Sequence, residues 1–460
     1  MKYSRPILCL IIGFALFISL RTLTSQPRYF YDEAVVLETA HNLGTNGKLD
    51  ILVNPNTFSG YAHLFNSTGY TVSLPLAIIF KLGGVSLAHG RLLMVAWLII
   101  AILSLFYISK VFWGTEAGIM TVALLASFAP FYGNGMQVMG EVPGFVFLLW
   151  GLYQLFHKKN YKLAGLLMSL AAITKPSMYG LLLPAFLIYI IFLEKDKFFK
   201  LKDFIIACIG PIVLFFLFIM PNILSSKNWL EIIKLYRNPY DSPSLINNVI
   251  SNIQTYWHHS TILYIGLLLA MIIYFIFKNY KKIEPNIKNL YSFSFIYIGL
   301  LILYFLRSPG WFRYLFPVEL LAFMFIYSAI SLKSKKLATY VVSFLVIINL
   351  GQLGFYRGDI KDDSAQDTAK YITDLNQSVG IINTPEVSSL VPSEKRYQVI
   401  KYFGVPELGL NPILFKGDQR TQLIVFKSAD NPLVVPYQNI LNSNYQSLNQ
   451  IGSYRIYELK

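Results

Sequence analysis

Eleven apolar runs, each near the length of a bilayer crossing, fill the first 354 residues. They lie at 6–23, 88–109, 116–133, 142–157, 161–174, 177–193, 204–221, 260–277, 289–306, 314–331 and 337–354. A spanning helix needs about 20 such residues, and 142–157 and 161–174 are the shortest of the set. Hydrophobic residues make up 55% of the chain and charged residues 14%, too little polar material to cover a soluble protein of this size. Cys9 and Cys208 both fall inside apolar runs, which excludes a disulfide scaffold. No segment is low in complexity and no internal repeat is present. The pattern predicts an all-α polytopic membrane protein with about 11 transmembrane helices.

Charge orients it. The chain carries 39 basic and 24 acidic residues, a net charge of +15. Residues 355–460 hold eleven of each, so the excess lies wholly in the apolar part. There the basic residues punctuate spans. A nucleic-acid binder would carry its basic stripe on a soluble face, so no nucleic-acid partner is expected. A further apolar run, 71–86, contains Pro75, Lys81 and Gly83-Gly84. If it lies along the outer surface, Lys2 and Arg5, Lys110 and the loops with Lys158, Lys159 and Lys162, Lys195 to Lys202, Lys278 to Lys288, and Lys333 to Lys336 all fall inside. That agrees with the positive-inside rule; a spanning 71–86 would flip the four large clusters. The expectation is a cytoplasmic N-terminus, an outer juxtamembrane helix at 71–86 and a plasma-membrane protein. The first run lacks a small-x-small cleavage site near residues 18–26, so it is expected to remain as an anchor.

The tail changes character. Strand-like runs at Val379–Ile382, Tyr397–Phe403, Gln422–Phe426 and Tyr454–Leu459 alternate with polar, helix-compatible stretches and proline-marked turns. The expected division is 1–354, transmembrane, and 355–460, a small extracytoplasmic α/β domain.

This topology collects charge on the outer side. One long loop carries Tyr31-Asp32-Glu33-Ala34; a short one carries Gln137 to Glu141 and Pro143. Lys175 stands between the fifth and sixth spans, and Arg307 and Arg313 flank the turn between the ninth and tenth. Each has an ordinary reading: a solvated helix start, a carboxylate at a helix N-terminus, a snorkelling lysine, headgroup anchors. Complementary charges from four loops on one side point instead to a site. Glu319 lies deep in the tenth span and is expected to face the bundle interior and pair with a cation. His258 and His259 precede the eighth span. They read first as interface residues beside Trp257 and second as acceptor contacts; His63 has no evident partner.

The ordered set resembles the GT-C superfamily of membrane glycosyltransferases. Within it the chain looks like the protein-O-mannosyltransferase-like branch, which includes the bacterial aminoarabinose and Rgt-type galacturonic-acid transferases. The matching pieces are Tyr31-Asp32-Glu33-Ala34, Leu74-Pro75-Leu76 through Phe80-Lys81-Leu82-Gly83, Arg91-Leu92, Glu141, Gly165 through Thr174-Lys175-Pro176, and Arg313-Tyr314 through Pro317. Many members have Asp where this chain has Glu141. The resemblance covers about residues 30–330 and leaves the tail unmatched.

It implies the GT-C fold and transfer of one sugar from a polyprenyl-phosphate donor to an extracytoplasmic lipid, glycan or protein acceptor. The residue types suit that chemistry. The leaving phosphate needs cations, and Lys175 and Arg313, with Arg307 in reserve, are the expected holders. The acceptor needs a base, and Asp32 is the first choice with Glu33 second. Attack opposite the phosphate would invert the anomeric centre. Glu141 is expected to orient the acceptor or hold a metal. Mg²⁺ or Mn²⁺ is the candidate cofactor, though a monophosphate donor lessens the need. A transporter or flippase, or a polymerase or ligase of lipid-linked glycans, are the alternatives. Transporters concentrate ionisable groups at mid-membrane and show paired halves, and this sequence does neither.

Overall fold

The computed structural model describes residues 4–60, 68–193, 197–225, 244–257, 260–308, 311–355, 362–401, 407–416, 420–428 and 431–460. A helix meets each of the eleven expected spans. Among the described residues, six helices are long and apolar enough to cross a membrane: Ser4–Arg21, Leu87–Trp113, Pro176–Leu193, Pro285–Arg307, Phe312–Ser331 and Lys335–Gly354. Of the others, Tyr70–Gly83 and Tyr161–Thr174 are shorter, and Thr115–Ser127 with Ala129–Gly135 is bent. Burial ranks them. Of the apolar window in Phe312–Ser331, 89% is buried, against 17% in Lys335–Gly354 and 11% in Ser4–Arg21. The first is therefore the centre of the bundle and the last two present their sides to lipid.

The run 116–133 is one span by composition but two helices in structure. Thr115–Ser127 and Ala129–Gly135 meet at 69°. Pro130 explains the break: it lacks an N–H and its ring collides with the carbonyl four residues back. That carbonyl, Ala126 O, instead accepts from the Tyr132 hydroxyl at 2.7 Å. The bend turns Ala129–Gly135 and the loop after it towards the mouth of the bundle.

Two helices fit a position along the membrane surface. Tyr70–Gly83 has 14 residues, about 21 Å at the α-helical rise, short of the roughly 30 Å hydrocarbon core. It packs against the helix Tyr31–Asn46 through Val72, Leu76 and Phe80. Leu245–Trp257 exposes Ile246, Ile250 and Ile253 along one side, the spacing of an interfacial helix. Its opposite side carries Asn252, whose Nδ2 donates to the carbonyls of Phe305, Leu306 and Ser308. Phe305 O also accepts from Ser308 N and Oγ, so Asn252 and Ser308 together close the last turn of Pro285–Arg307.

The tail forms a five-stranded sheet. A short hairpin in the first loop supplies β1 (Leu52–Asn54) and β2 (Thr57–Phe58). The tail then gives β3 (Val379–Ile382), β4 (Arg396–Val399), β5 (Leu423–Phe426), β6 (Tyr445–Ile451) and β7 (Tyr454–Leu459), in the order β4-β3-β5-β7-β6. β3 is parallel to both β4 and β5, and β7 is antiparallel to β5 and β6. The expected strands at 379–382, 422–426 and 454–459 are present. The expected 397–403 is shorter, with Ile400 bridging Leu408 beyond β4, and β6 was not expected.

The expected boundary at 354/355 does not separate two cores. Val379, Ile381, Leu423, Val425 and Ile456 share one apolar cluster with Ala34, Leu37, Val72 and Phe80. The tail's sheet and the first loop's helices therefore bury one another.

Candidate active site

Four segments converge at one mouth of the bundle. Asp32 sits in the first turn of Tyr31–Asn46, where the helix dipole favours a carboxylate. Glu141 opens the helix Glu141–Leu152. Lys175 lies in the break between Tyr161–Thr174 and Pro176–Tyr179. Arg313 lies in the turn Phe312–Leu315 that precedes the central helix. Arg313 Nη2 is 2.6 Å from Asp32 Oδ2, and Lys175 Nζ is 3.3 Å from Glu141 Oε1. The two pairs feel each other: Lys175 responds to the charges of Arg313 and Asp32 as well as Glu141.

Close backbone contact builds this arrangement. A Cβ on Gly140 would lie 2.3 Å from Thr174 O, and one on Gly69 would lie 1.8 Å from Ile173 O. Only glycine lets both loops press against the 173–175 break. Gly69 N–H donates to Thr174 O at 3.0 Å, and Thr71 and Thr174 share a hydroxyl bond of 2.6 Å. Glu141 is thereby set beside Lys175. From below, the Tyr179 hydroxyl donates to Glu141 O at 2.5 Å.

The two pairs differ in access. Lys175 and Glu141 side chains are 1% and 2% exposed, whereas Arg313 and Asp32 are 16% and 14%. Burial pushes the Lys175 ammonium below the ordinary lysine range, against the opposing pull of Glu141. Among the described residues, neither Glu141 oxygen receives a well-directed hydrogen bond and Arg313 Nε has no acceptor. The Arg313 guanidinium lies 4.7 Å from the Trp311 ring centroid and 5.9 Å from that of Tyr314. Its Nη1 is 3.9 Å from Met139 Sδ. The site thus offers buried charge with bonding capacity left over, beneath a partly open pair.

Glu33, adjacent to Asp32, is not equivalent to it. Both its oxygens accept from Arg91, at 3.0 Å and 2.9 Å, and Oε1 also accepts from Val138 N at 3.1 Å. Both side chains are 0% exposed. Arg91 further donates to the carbonyls of Leu23 and Pro27. Glu33 is a tie between the first loop, the span Leu87–Trp113 and the 136–140 loop. The signal for this pairing was an arginine inside an otherwise apolar run.

Arg307 ends its helix, exposed, six residues before Arg313. Glu319 faces the interior as expected and is 5% exposed. The expected cation partner is not found among the described residues; Arg313 and Lys175, the basic side chains of the mouth, are engaged by Asp32 and Glu141. His63, His258 and His259 lie outside the described residues. Among the described residues no three His, Cys, Asp or Glu side chains gather as metal ligands would.

Residues 70–224 match the family model described as dolichyl-phosphate-mannose-protein mannosyltransferase. The whole chain superposes on ArnT from Cupriavidus metallidurans bound to undecaprenyl phosphate. That match has a TM-score of 0.59 at 11% identity and covers 98% of this chain and 97% of that one. This is the GT-C fold. A second solved structure, the apo oligosaccharyltransferase of Archaeoglobus fulgidus, matches with a TM-score of 0.55 at 11% identity, over 97% of this chain and 73% of that one. No curated protein sequence matches. The fold expected from the sequence is therefore present, and the matched family segment, residues 70–224, lies within its helical part.

Proposed function

We propose that the chain transfers a single sugar from a polyprenyl-phosphate carrier to an acceptor outside the membrane, with inversion. The observation that carries this is the double pair at the mouth: two cations and two carboxylates from four segments, one pair buried and one accessible. The family segment, and a fold neighbour whose structure is described as bound to undecaprenyl phosphate, support it.

In this reading the Asp32–Arg313 pair is a resting contact. The donor phosphate enters and takes over the Arg313 guanidinium, whose fork suits two phosphate oxygens. Lys175, held charged by Glu141, adds a second positive charge where the leaving group's charge grows. Releasing Arg313 frees Asp32, which takes the proton of the acceptor hydroxyl or amine as its oxygen or nitrogen attacks the anomeric carbon. The C–O bond to phosphate breaks on the opposite face, and polyprenyl phosphate leaves with the electron pair. Glu33 takes no part beyond holding the helix. Glu141 positions Lys175. Each carboxylate of the site faces a basic side chain, so the group fits a phosphate better than Mg²⁺ or Mn²⁺, and no step is routed through a metal. The mouth faces the extracytoplasmic side in this reading, with the basic loops and N-terminus in the cytoplasm of a plasma-membrane protein.

The test is release of free polyprenyl phosphate in proteoliposomes supplied with a panel of polyprenyl-phosphate sugars. Release from one donor, lost in Asp32→Asn, supports the assignment and names the sugar. Release that persists in Asp32→Asn removes Asp32 from the chemistry. Flipping of the carrier without release favours the transporter reading.

A further inference from the structure

The tail's sheet has a second polar centre that the reaction above does not use. β3, β4 and β5 are parallel in the order β4-β3-β5, so the chain moves from β3 to one neighbour and then crosses to the other. The connections leave in opposite directions. After β3, Val387 and Val391 pack on the face shared with the helix Tyr31–Asn46. After β5, Leu433 and Val434 pack on the other face. Such a topological switch point leaves a crevice beyond the carboxyl ends of the two strands, the usual ligand position in open parallel sheets.

Functional side chains stand there. Thr384 and Glu386 follow β3, Lys427 follows β5, and Tyr454 opens the neighbouring β7. Glu386 Oε1 takes the Lys427 ammonium at 3.1 Å and the Tyr454 hydroxyl at 3.0 Å. Among the described residues, Glu386 Oε2 and Thr384 Oγ1 are buried with no hydrogen-bond partner, on residues 4% and 1% exposed. Unmet polar atoms of this kind call for an explanation, and a ligand supplies one. Lys427 is 38% exposed, and Arg28, 3.2 Å from Asp362, is 35% exposed. The charges of Arg28 and Asp362 both reach Tyr454, so the crevice has hydrogen-bond acceptors within and two cations at its rim, each facing a carboxylate.

It also adjoins the active site. The Tyr29 hydroxyl bonds Ser389 at 2.6 Å. Tyr29 precedes Asp32 by three residues, a chain length of at most about 11 Å.

We propose that this crevice binds the acceptor, and that the acceptor is an anionic saccharide. Its hydroxyls meet Glu386 and Thr384, and its phosphate or carboxylate meets Lys427 and Arg28. The inference rests on the glycosyl-transfer reading and adds the acceptor's class to it.

The full chain in nanodiscs is probed by saturation-transfer NMR with glucose 6-phosphate, glucuronic acid, glucose and inorganic phosphate. Glucose 6-phosphate or glucuronic acid gives transfer to its ring protons, and which one does so tells phosphate from carboxylate. Glucose and inorganic phosphate give much less. Binding weakens about tenfold in Lys427→Ala or Arg28→Ala, the loss of one charge-assisted contact, and is unchanged in Asp32→Asn. Equal signals from glucose and the anionic sugars, or full signals in both variants, overturn the proposal. Glu386→Gln, which keeps the side chain's shape, weakens binding while leaving the thermal midpoint near wild type. In proteoliposomes, Lys427→Ala raises the acceptor KM about tenfold and leaves acceptor-independent donor hydrolysis unchanged. Equal loss of both activities overturns the assignment as an acceptor subsite. If Asp32→Asn leaves donor release intact, the glycosyl-transfer reading fails separately, whatever the NMR shows.

Discussion

Asp32 and Glu33 are neighbours on one helix turn, and the structure gives them opposite duties. Glu33 is sealed against Arg91 with both oxygens satisfied and no solvent access. Asp32 holds Arg313 by one short contact at a partly open mouth. A closed ion pair cannot exchange partners without leaving a buried charge exposed to nothing. An open one can pass its cation to an arriving phosphate. The difference separates a strut from a reacting group, although the two residues are chemically alike.

Removing the strut's cation has the largest effect. Arg91→Met leaves Glu33 buried without compensation, a cost of about 3–5 kcal/mol; thermal unfolding in detergent should show a large drop or a failure to fold. Breaking the open pair separates stability from activity. Asp32→Asn lowers turnover about 10²–10⁴-fold while the melting temperature stays close to wild type. The buried pair beneath can be read by pH. The Lys175 ammonium is held below its ordinary 10.5, so its charge is present at low pH and lost as pH rises. The alkaline limb of kcat/KM should fall below the ordinary lysine range, and Lys175→Arg should push that limb upward. The smallest effect belongs to a fully solvated pair. Lys162 and Asp203 are 3.8 Å apart and 70% and 46% exposed; Asp203→Asn should change stability by no more than about 0.5 kcal/mol and turnover not at all.

A similar tie fastens the helix to the tail. Glu38, one to two turns beyond Glu33, receives Arg396 Nη2 at 2.5 Å and Leu52 N at 2.9 Å, all buried. Asp32 is thus carried on a helix clamped on one side by the membrane bundle and on the other by β4. This explains why the tail and the first loop share an apolar cluster.

Much of this was legible in the sequence. Apolar period and loop charge marked a helix for every span, because both follow from the bilayer's own thickness and field. Asp32, Glu141, Lys175 and Arg313 stood out because four short segments placed opposite charges at one end. What escaped has a common cause. The Glu33–Arg91 and Glu38–Arg396 ties join residues 58 and 358 positions apart; Arg91 in an apolar run signals that it needs an acid, but no local pattern says which one. The strand β6, Tyr445–Ile451, alternates too weakly to stand out, since most of its side chains are exposed. The break at Phe128 was written in Pro130, but the apolar run around it reads as continuous.

The central claim is that the open pair reacts and the closed pair supports. The most direct measurement is donor turnover per folded molecule in proteoliposomes, comparing Asp32→Asn and Glu33→Gln with wild type after each is quantified by its native melting transition. The account predicts a folded, inactive Asp32→Asn, and a Glu33→Gln with reduced yield whose folded fraction still releases polyprenyl phosphate. A folded, active Asp32→Asn beside a folded, inactive Glu33→Gln would contradict it.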